Sequence, residues 1–266
     1  MKRIVTVFVL IIALVSCNIN DDQVNPVENV SKKLKSIKSS TSGRIYEYGE
    51  NNFIKRENVY YGNDQIVGTL DYVYDSKNQV IERKQQNRNK EFDGTFRDFI
   101  GNATYKYDNN GLISSSFQYY KYQDEPDSIR IKTVYEYNNS NLVKKLEETT
   151  DTYDNVVMVH TFYIYENNKL VSTESKVFEN GAYTSGSKII SFKYDSSINP
   201  EYKLFPENYL KINSLINVNN IITYFDNKDP NISYDAVITY DKDNFPEKIF
   251  KSHGNGSKLE YLYEYE

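Results

Sequence analysis

Tryptophan is absent from this 266-residue chain, cysteine occurs once, and histidine and methionine occur twice each. A single thiol excludes an intramolecular disulfide framework. His160 and His253 are far apart in the chain and no second cysteine accompanies them, so the nitrogen and sulfur ligands of a transition-metal site are missing. Positive charge is not in excess: the formal net charge is −5, which removes the basic surface that nucleic acid requires. There is no Gly-x-Ser-x-Gly elbow, no Walker A motif and no dinucleotide fingerprint, so no cofactor is expected. No stretch holds a 3.6-residue hydrophobic period, which excludes a helical architecture.

Long apolar runs are also missing, with one exception. Lys2 and Arg3 precede Ile4 to Val15, an apolar run broken only by Thr6. That run falls short of the roughly 20 residues of a spanning helix and reads as a signal peptide. It ends in Leu14-Val15-Ser16-Cys17, which resembles the bacterial lipobox, and this implies acylation of Cys17. Asn18 follows in place of the aspartate that favours inner-membrane retention. The Asp21-Asp22 pair resembles a surface-export signal of Bacteroidota lipoproteins. The expectation is a lipid-anchored protein of the outer membrane, on its periplasmic face or at the cell surface. Residues 18–32 are polar and acidic and read as a flexible tether, leaving 33–266 as one domain.

Tyrosine is what the chain has in abundance, 26 against 13 phenylalanines. Tyr suits a half-buried pleated surface, where the ring packs and the hydroxyl reaches water. The tyrosines recur in a unit clearest at Thr104–Ile113, a strand, a turn of Asp108-Asn109-Asn110-Gly111 and a return strand. Its aromatic pairs are Tyr46/Tyr48, Tyr72/Tyr74, Tyr105/Tyr107, Tyr135/Tyr137, Tyr163/Tyr165 and Phe192/Tyr194, at a drifting period of about 30 residues. Alternate positions share one face of a strand, so each pair lies on one side of the sheet. Asn, Asp and Gly after each pair suit tight hairpins, and an apolar pair such as Val80-Ile81 or Leu142-Val143 starts each return. The pattern fails between Asp195 and Asn220, where Pro200 and Pro206 interrupt it. That stretch reads as an irregular crossover that covers a sheet edge or plugs one end. The sequence therefore predicts an all-β fold, an antiparallel meander of long hairpins.

The Tyr-Asp-x-x-Asn/Gly-x-Leu/Val units resemble the tyrosine-aspartate (YD) repeats of the Rhs family. Together with the lipobox, Asn199-Pro200, Asn219-Asn220-Ile221 and Asp243-Asn244-Phe245-Pro246, they resemble a group of Bacteroidota lipoproteins of unknown function. That resemblance spans roughly 33–266 and implies a porin-like fold, a closed or partly closed barrel. It carries no functional residues. A true membrane porin is not expected, because Lys106, Glu136 and Lys193 alternate with the tyrosines and would face lipid.

Function is then sought where the repeat fails. The off-repeat tyrosines Tyr119, Tyr120, Tyr122, Tyr202 and Tyr209 are the candidate ligand-binding residues, aromatic surfaces for a glycan or an apolar ligand. The expected role is a non-enzymatic binding or scaffold module with a glycan, apolar ligand or protein as partner. The alternative is a glycan hydrolase using two carboxylates. Asp241, Asp243 and Asn244, and Asp226 with Asp229, have the oxygen donors of a calcium site but no EF-hand spacing, and read as turns. Asp127-Ser128-Ile129 resembles the acceptor of Bacteroidota O-glycosylation.

Overall fold

The computed structural model of the protein describes residues 32–62, 65–90, 96–125, 128–213 and 216–266. The expected leader, Cys17, the tether up to residue 31 and Asp127 lie outside them. The strands are β1 (Leu34–Lys38), β2 (Ser42–Tyr48), β3 (Ile54–Tyr61), β4 (Gln65–Tyr74), β5 (Val80–Lys90) and β6 (Phe96–Tyr107). β7 (Ile113–Tyr122), β8 (Ile129–Asn138), β9 (Asn141–Thr150), β10 (Val156–Glu166) and β11 (Lys169–Glu179) follow. After the two-residue β12 (Ala182–Tyr183) come β13 (Lys188–Ile198), β14 (Asn219–Asp226), β15 (Tyr234–Tyr240), β16 (Pro246–His253) and β17 (Lys258–Tyr265).

Every long strand pairs antiparallel with its neighbours in sequence, and β1 pairs with both β2 and β17, which closes the ring. β11 pairs directly with β13, and β12 folds back on β11, so sixteen strands make the barrel wall. Closure leaves no sheet edge to protect. Every wall strand finds both partners within 33–266, so the domain completes itself.

The recurrent unit has a specific geometry. At Tyr48, Tyr74, Tyr107, Tyr137, Tyr165 and Tyr240 the pairing register shifts by a β-bulge just before the turn. Three turns of the repeat, and the Asp151 turn at the other end, share one pattern in which an aspartate carboxylate folds the loop. Asp75 Oδ1 accepts from the backbone N–H of Lys77 and Gln79, Asp108 Oδ1 from Asn110 and Leu112, and Asp241 Oδ1 from Asp243 and Phe245. Asn78, Gly111 and Asn244 close these turns in the left-handed region, at φ 60°, 76° and 64°. The turns at Asn138–Asn141 and Glu166–Lys169 are tighter. Both central residues have positive φ there, as a two-residue type I′ hairpin requires.

The bulge explains why the second aromatic is so often tyrosine. It interrupts the ladder and leaves a buried carbonyl to be satisfied. The hydroxyl of the next hairpin's tyrosine donates to it: Tyr74 to Ile54 O at 2.6 Å, Tyr107 to Val80 O at 2.9 Å and Tyr137 to Ile113 O at 2.9 Å. Tyr48 reaches Leu34 O and Tyr265 reaches Pro246 O in the same way. Ile54, Val80, Ile113 and Leu142, the apolar residues opposite these tyrosines, are fully buried. Each contributes about 1.5–3 kcal/mol by leaving water. Tyr107→Phe keeps the ring and strands the Val80 carbonyl, so it is expected to lower stability by about 1–3 kcal/mol in urea unfolding. A change within about 0.3 kcal/mol would deny these bonds a role in holding adjacent hairpins together.

The turns that follow the tyrosine pairs gather at one end of the barrel, and the other, the loop end, mixes short turns such as 39–41 and 151–155 with longer loops such as 227–233. The chain enters and leaves at the turn end, where Lys33 and Glu266 exchange two backbone hydrogen bonds. The break in the repeat is a plug for that same end. After Asn199, whose side chain caps the following N–H of Glu201, come a 3-10 turn (Pro200–Lys203) and the one-turn helix α1 (Glu207–Leu210). Leu204, Phe205, Tyr209 and Leu210 are buried against the wall, and Ile54 N donates to Leu204 O at 3.0 Å. Of the two roles expected for the crossover, it takes the plug.

The outer face is charged. Alternation with the inward tyrosines turns Glu82, Lys84, Lys132, Glu136, Lys144, Glu148, Glu174, Lys176, Lys248 and Glu260 outward. They meet as ion pairs, among them Lys132–Glu148 at 3.0 Å, Lys176–Glu174 at 3.0 Å and Lys248–Glu260 at 3.1 Å. Arg56 holds Asp71 with two hydrogen bonds. Exposed apolar residues stand between them, such as Val73, Val134, Ile164 and the cross-strand pair Val237 and Phe250.

Candidate functional site

The interior is not uniform. At the turn end the tyrosines, the apolar residues opposite them and the plug pack tightly. Tyr209 meets Tyr105 edge-on at 5.2 Å and Tyr72 at 6.2 Å, and Phe205 meets Tyr72 at 4.8 Å. The Tyr209 and Tyr105 hydroxyls lie 3.2 Å apart, which satisfies two polar atoms inside the core. Burial pushes the Tyr209 phenol well above its ordinary pKa.

Beyond the plug, between it and the loop end, a cavity of about 460 Å³ remains. That lies within the usual size of small-molecule sites. The plug forms its floor with Leu204, Phe205 and Tyr209, while Arg44, Glu57 and Arg83 rise from the wall. The inward positions are set by register: Tyr46 faces Glu57 across β2 and β3, and Tyr72 faces Arg83 across β4 and β5.

Charges line this cavity. Arg44 lies 3.5 Å from Glu57 and 3.7 Å from Glu201 of the plug. The Arg44 side chain retains 52% of its exposure despite sitting inside the barrel, so water enters the cavity. Burial pushes the Glu57 carboxyl up, and Arg44 offsets part of that shift. Three strands round the wall from Arg44, on β16, Lys251 lies over the Tyr234 ring at 4.1 Å, and burial lowers its pKa.

The five tyrosines singled out by the sequence do not form one cluster. Tyr119 faces outward. Tyr120 and Tyr122 face the lumen on β7, opposite Gly101 and Phe99. Tyr209 lines the large cavity from the plug, and Tyr202 lines a smaller one of about 180 Å³ beside Tyr165 and Leu210. Arg44, Glu57, Arg83 and Glu201 were not singled out by sequence. Three of them sit on strands among many exposed charges of the same types, and no local spacing marks them. The only signal is parity with the inward tyrosines: Arg44 is two residues before Tyr46 on the same face.

No protein-family model and no curated protein matches the chain. Among solved structures it is similar to a porin-like protein from Bacteroides vulgatus, with a TM-score of 0.44 and 13% identity over 88% of this chain and 99% of that one. A second, from Bacteroides uniformis and also described as porin-like, has a TM-score of 0.39 and 9% identity over 88% of this chain and 98% of that one.

Proposed function

We propose that this is a lipid-anchored barrel of the outer membrane that stands in water and binds a ligand in its lumen without transforming it. The observation that carries the reading is the contrast between the two faces of the wall. The outside is laced with ion pairs, and the inside holds a wet cavity with more charge than packing requires. The Leu14–Cys17 motif supports the anchor.

A carboxylate-dependent hydrolase is the second reading, favoured by the approach of Glu57 and Glu201 to Arg44 across the cavity. Arg44 brings one positive charge to two carboxylates and offsets only part of the upward shift of Glu57, so the pair is tested directly for proton transfer. A screen of the lipid-free barrel against glycans and lipids, followed by product analysis, tests both. Saturable binding without turnover is the expected result. Turnover that disappears in Glu57→Gln and in Glu201→Gln would replace the binding reading with the enzymatic one, and no binding at all would remove both.

A further inference from the structure

Arg83 differs from the other paired arginines of the chain. Arg44, Arg56, Arg97 and Arg130 each lie within ion-pair distance of a carboxylate. Arg83 points into the lumen and bonds only to neutral groups: Nη2 donates to the Tyr120 hydroxyl at 2.9 Å and to Gln118 Oε1 at 3.4 Å. Tyr120 in turn donates to Gln118 Oε1 at 2.5 Å, which locks all three side chains together. Nε is buried without a partner. Nη1 has no partner either, but it is not sealed from solvent, so it faces the cavity that Arg83 lines. Among the described residues no carboxylate lies within ion-pair distance of this guanidinium, and Glu57, across the same cavity, acts on it only at longer range. A cation held inside a protein without a counter-charge is costly, and an anion arriving from solvent removes that cost.

The wall beside Arg83 is built for a ring. A Cβ at Gly101 would stand 2.5 Å from Tyr120 Cδ1, so glycine is what allows the Tyr120 ring to lie flat against β6. Phe99, two residues away on the same face, continues that surface, with rings 8° from parallel and centroids 5.7 Å apart. Phe99 on β6 and Tyr120 on β7 stand beside the cavity, one and two strands over from Gln85, which pairs with Gly101. Gln85, Asn87 and Asn213 line the cavity itself and offer hydrogen bonds to hydroxyl groups.

We propose that Arg83, Tyr120 and Phe99 seat an acidic sugar, a uronic-acid residue of a glycan. Its carboxylate lies against Nη1 of Arg83 and its ring against the aromatic wall. Guanidinium and carboxylate make the charge-assisted pair that this geometry lacks, and aromatic faces pack against the C–H side of a sugar. The proposal rests on the lumen-binding reading above and narrows it to one ligand class.

The test is calorimetric titration of the lipid-free barrel with a trimer of galacturonic acid, the matching neutral trimer of galactose, and laurate. The acidic trimer is expected to bind at least tenfold more tightly than the neutral one, with an affinity that falls as salt rises. Arg83→Gln is expected to abolish that preference, and Arg83→Lys to retain part of it. Tyr120→Ala is expected to weaken both sugars. Equal binding of the two trimers, or binding of laurate alone, overturns the acidic-sugar assignment and leaves the lumen-binding reading standing. Binding of none of the three overturns the assignment too, and the broader screen then decides the wider reading. The trimer comparison uses the unaltered protein, so it holds even if an Arg83 variant fails to fold.

Discussion

Replacing Tyr209 with alanine is expected to destabilise the barrel by about 3–5 kcal/mol, the range for removing a large buried aromatic. Tyr209 is the centre of the plug, in contact with Tyr72, Tyr105 and Phe205 at once. Its loss opens a cavity that the surrounding strands cannot fill, because each is held in register on both sides. It also leaves the Tyr105 hydroxyl without its partner. For a domain of this size the midpoint of thermal unfolding should fall by about 10 °C. Tyr209→Phe keeps the ring and should cost about 1 kcal/mol, the net worth of one hydrogen bond. If Tyr209→Ala melts within about 2 °C of the unaltered protein, the plug is an ornament on a self-sufficient barrel and not part of its core.

The second expectation concerns the membrane. Cys17→Ala should abolish fatty-acid incorporation and move the protein wholly into the aqueous phase, where it should remain a folded barrel without detergent. The argument is energetic. Lys84, Lys132, Lys144, Lys176 and Lys248 all sit on the outer wall, and a lysine on the lipid face costs about 2–4 kcal/mol near the midplane. Together they would cost on the order of 10–20 kcal/mol, comparable to the whole stability of a domain. On the proposed reading, their pairing with Glu82, Glu136, Glu148, Glu174 and Glu260 is that of a wall standing in water. Anchoring then falls to the acyl chains alone. A Cys17→Ala protein that still partitions into detergent or retains the lipid label would defeat this view of the barrel and of its attachment.

Much of the architecture was legible because it is local. A tyrosine at every second position assigns a face, and Asp108 with Gly111 assigns a tight turn. The near-regular spacing of these units assigns a meander of hairpins. The register shifts were not legible. Val80-Ile81 looks like two equivalent apolar residues, yet the bulge buries Val80 and leaves Ile81 38% exposed on the outer wall. The small β12 also escaped notice, because Ala182-Tyr183 gains its pairing only from Phe178 and Glu179 alongside it. The off-repeat tyrosines fall on β7 and in the plug, and their spacing did not separate Tyr119 on the outer face from Tyr120 on the inner one. Adjacent residues of a strand face opposite ways, and only the register with β6 decides which is which.

The sequence by itself determined that this chain is an antiparallel β array, with tyrosines on one face, charges on the other and an interruption between Asp195 and Asn220. Those properties follow from alternation and turn chemistry, which act over a few residues. Tertiary structure alone decided that the array closes, that the interruption becomes a plug, and that Arg44, Glu57, Arg83 and Glu201 meet around one cavity. Closure depends on β1 meeting β17 across the whole length of the domain. The cavity depends on residues up to 157 positions apart, Arg44 and Glu201, being brought within 3.7 Å. No local pattern encodes such a meeting, because it is the sum of the twist and register of every strand between them.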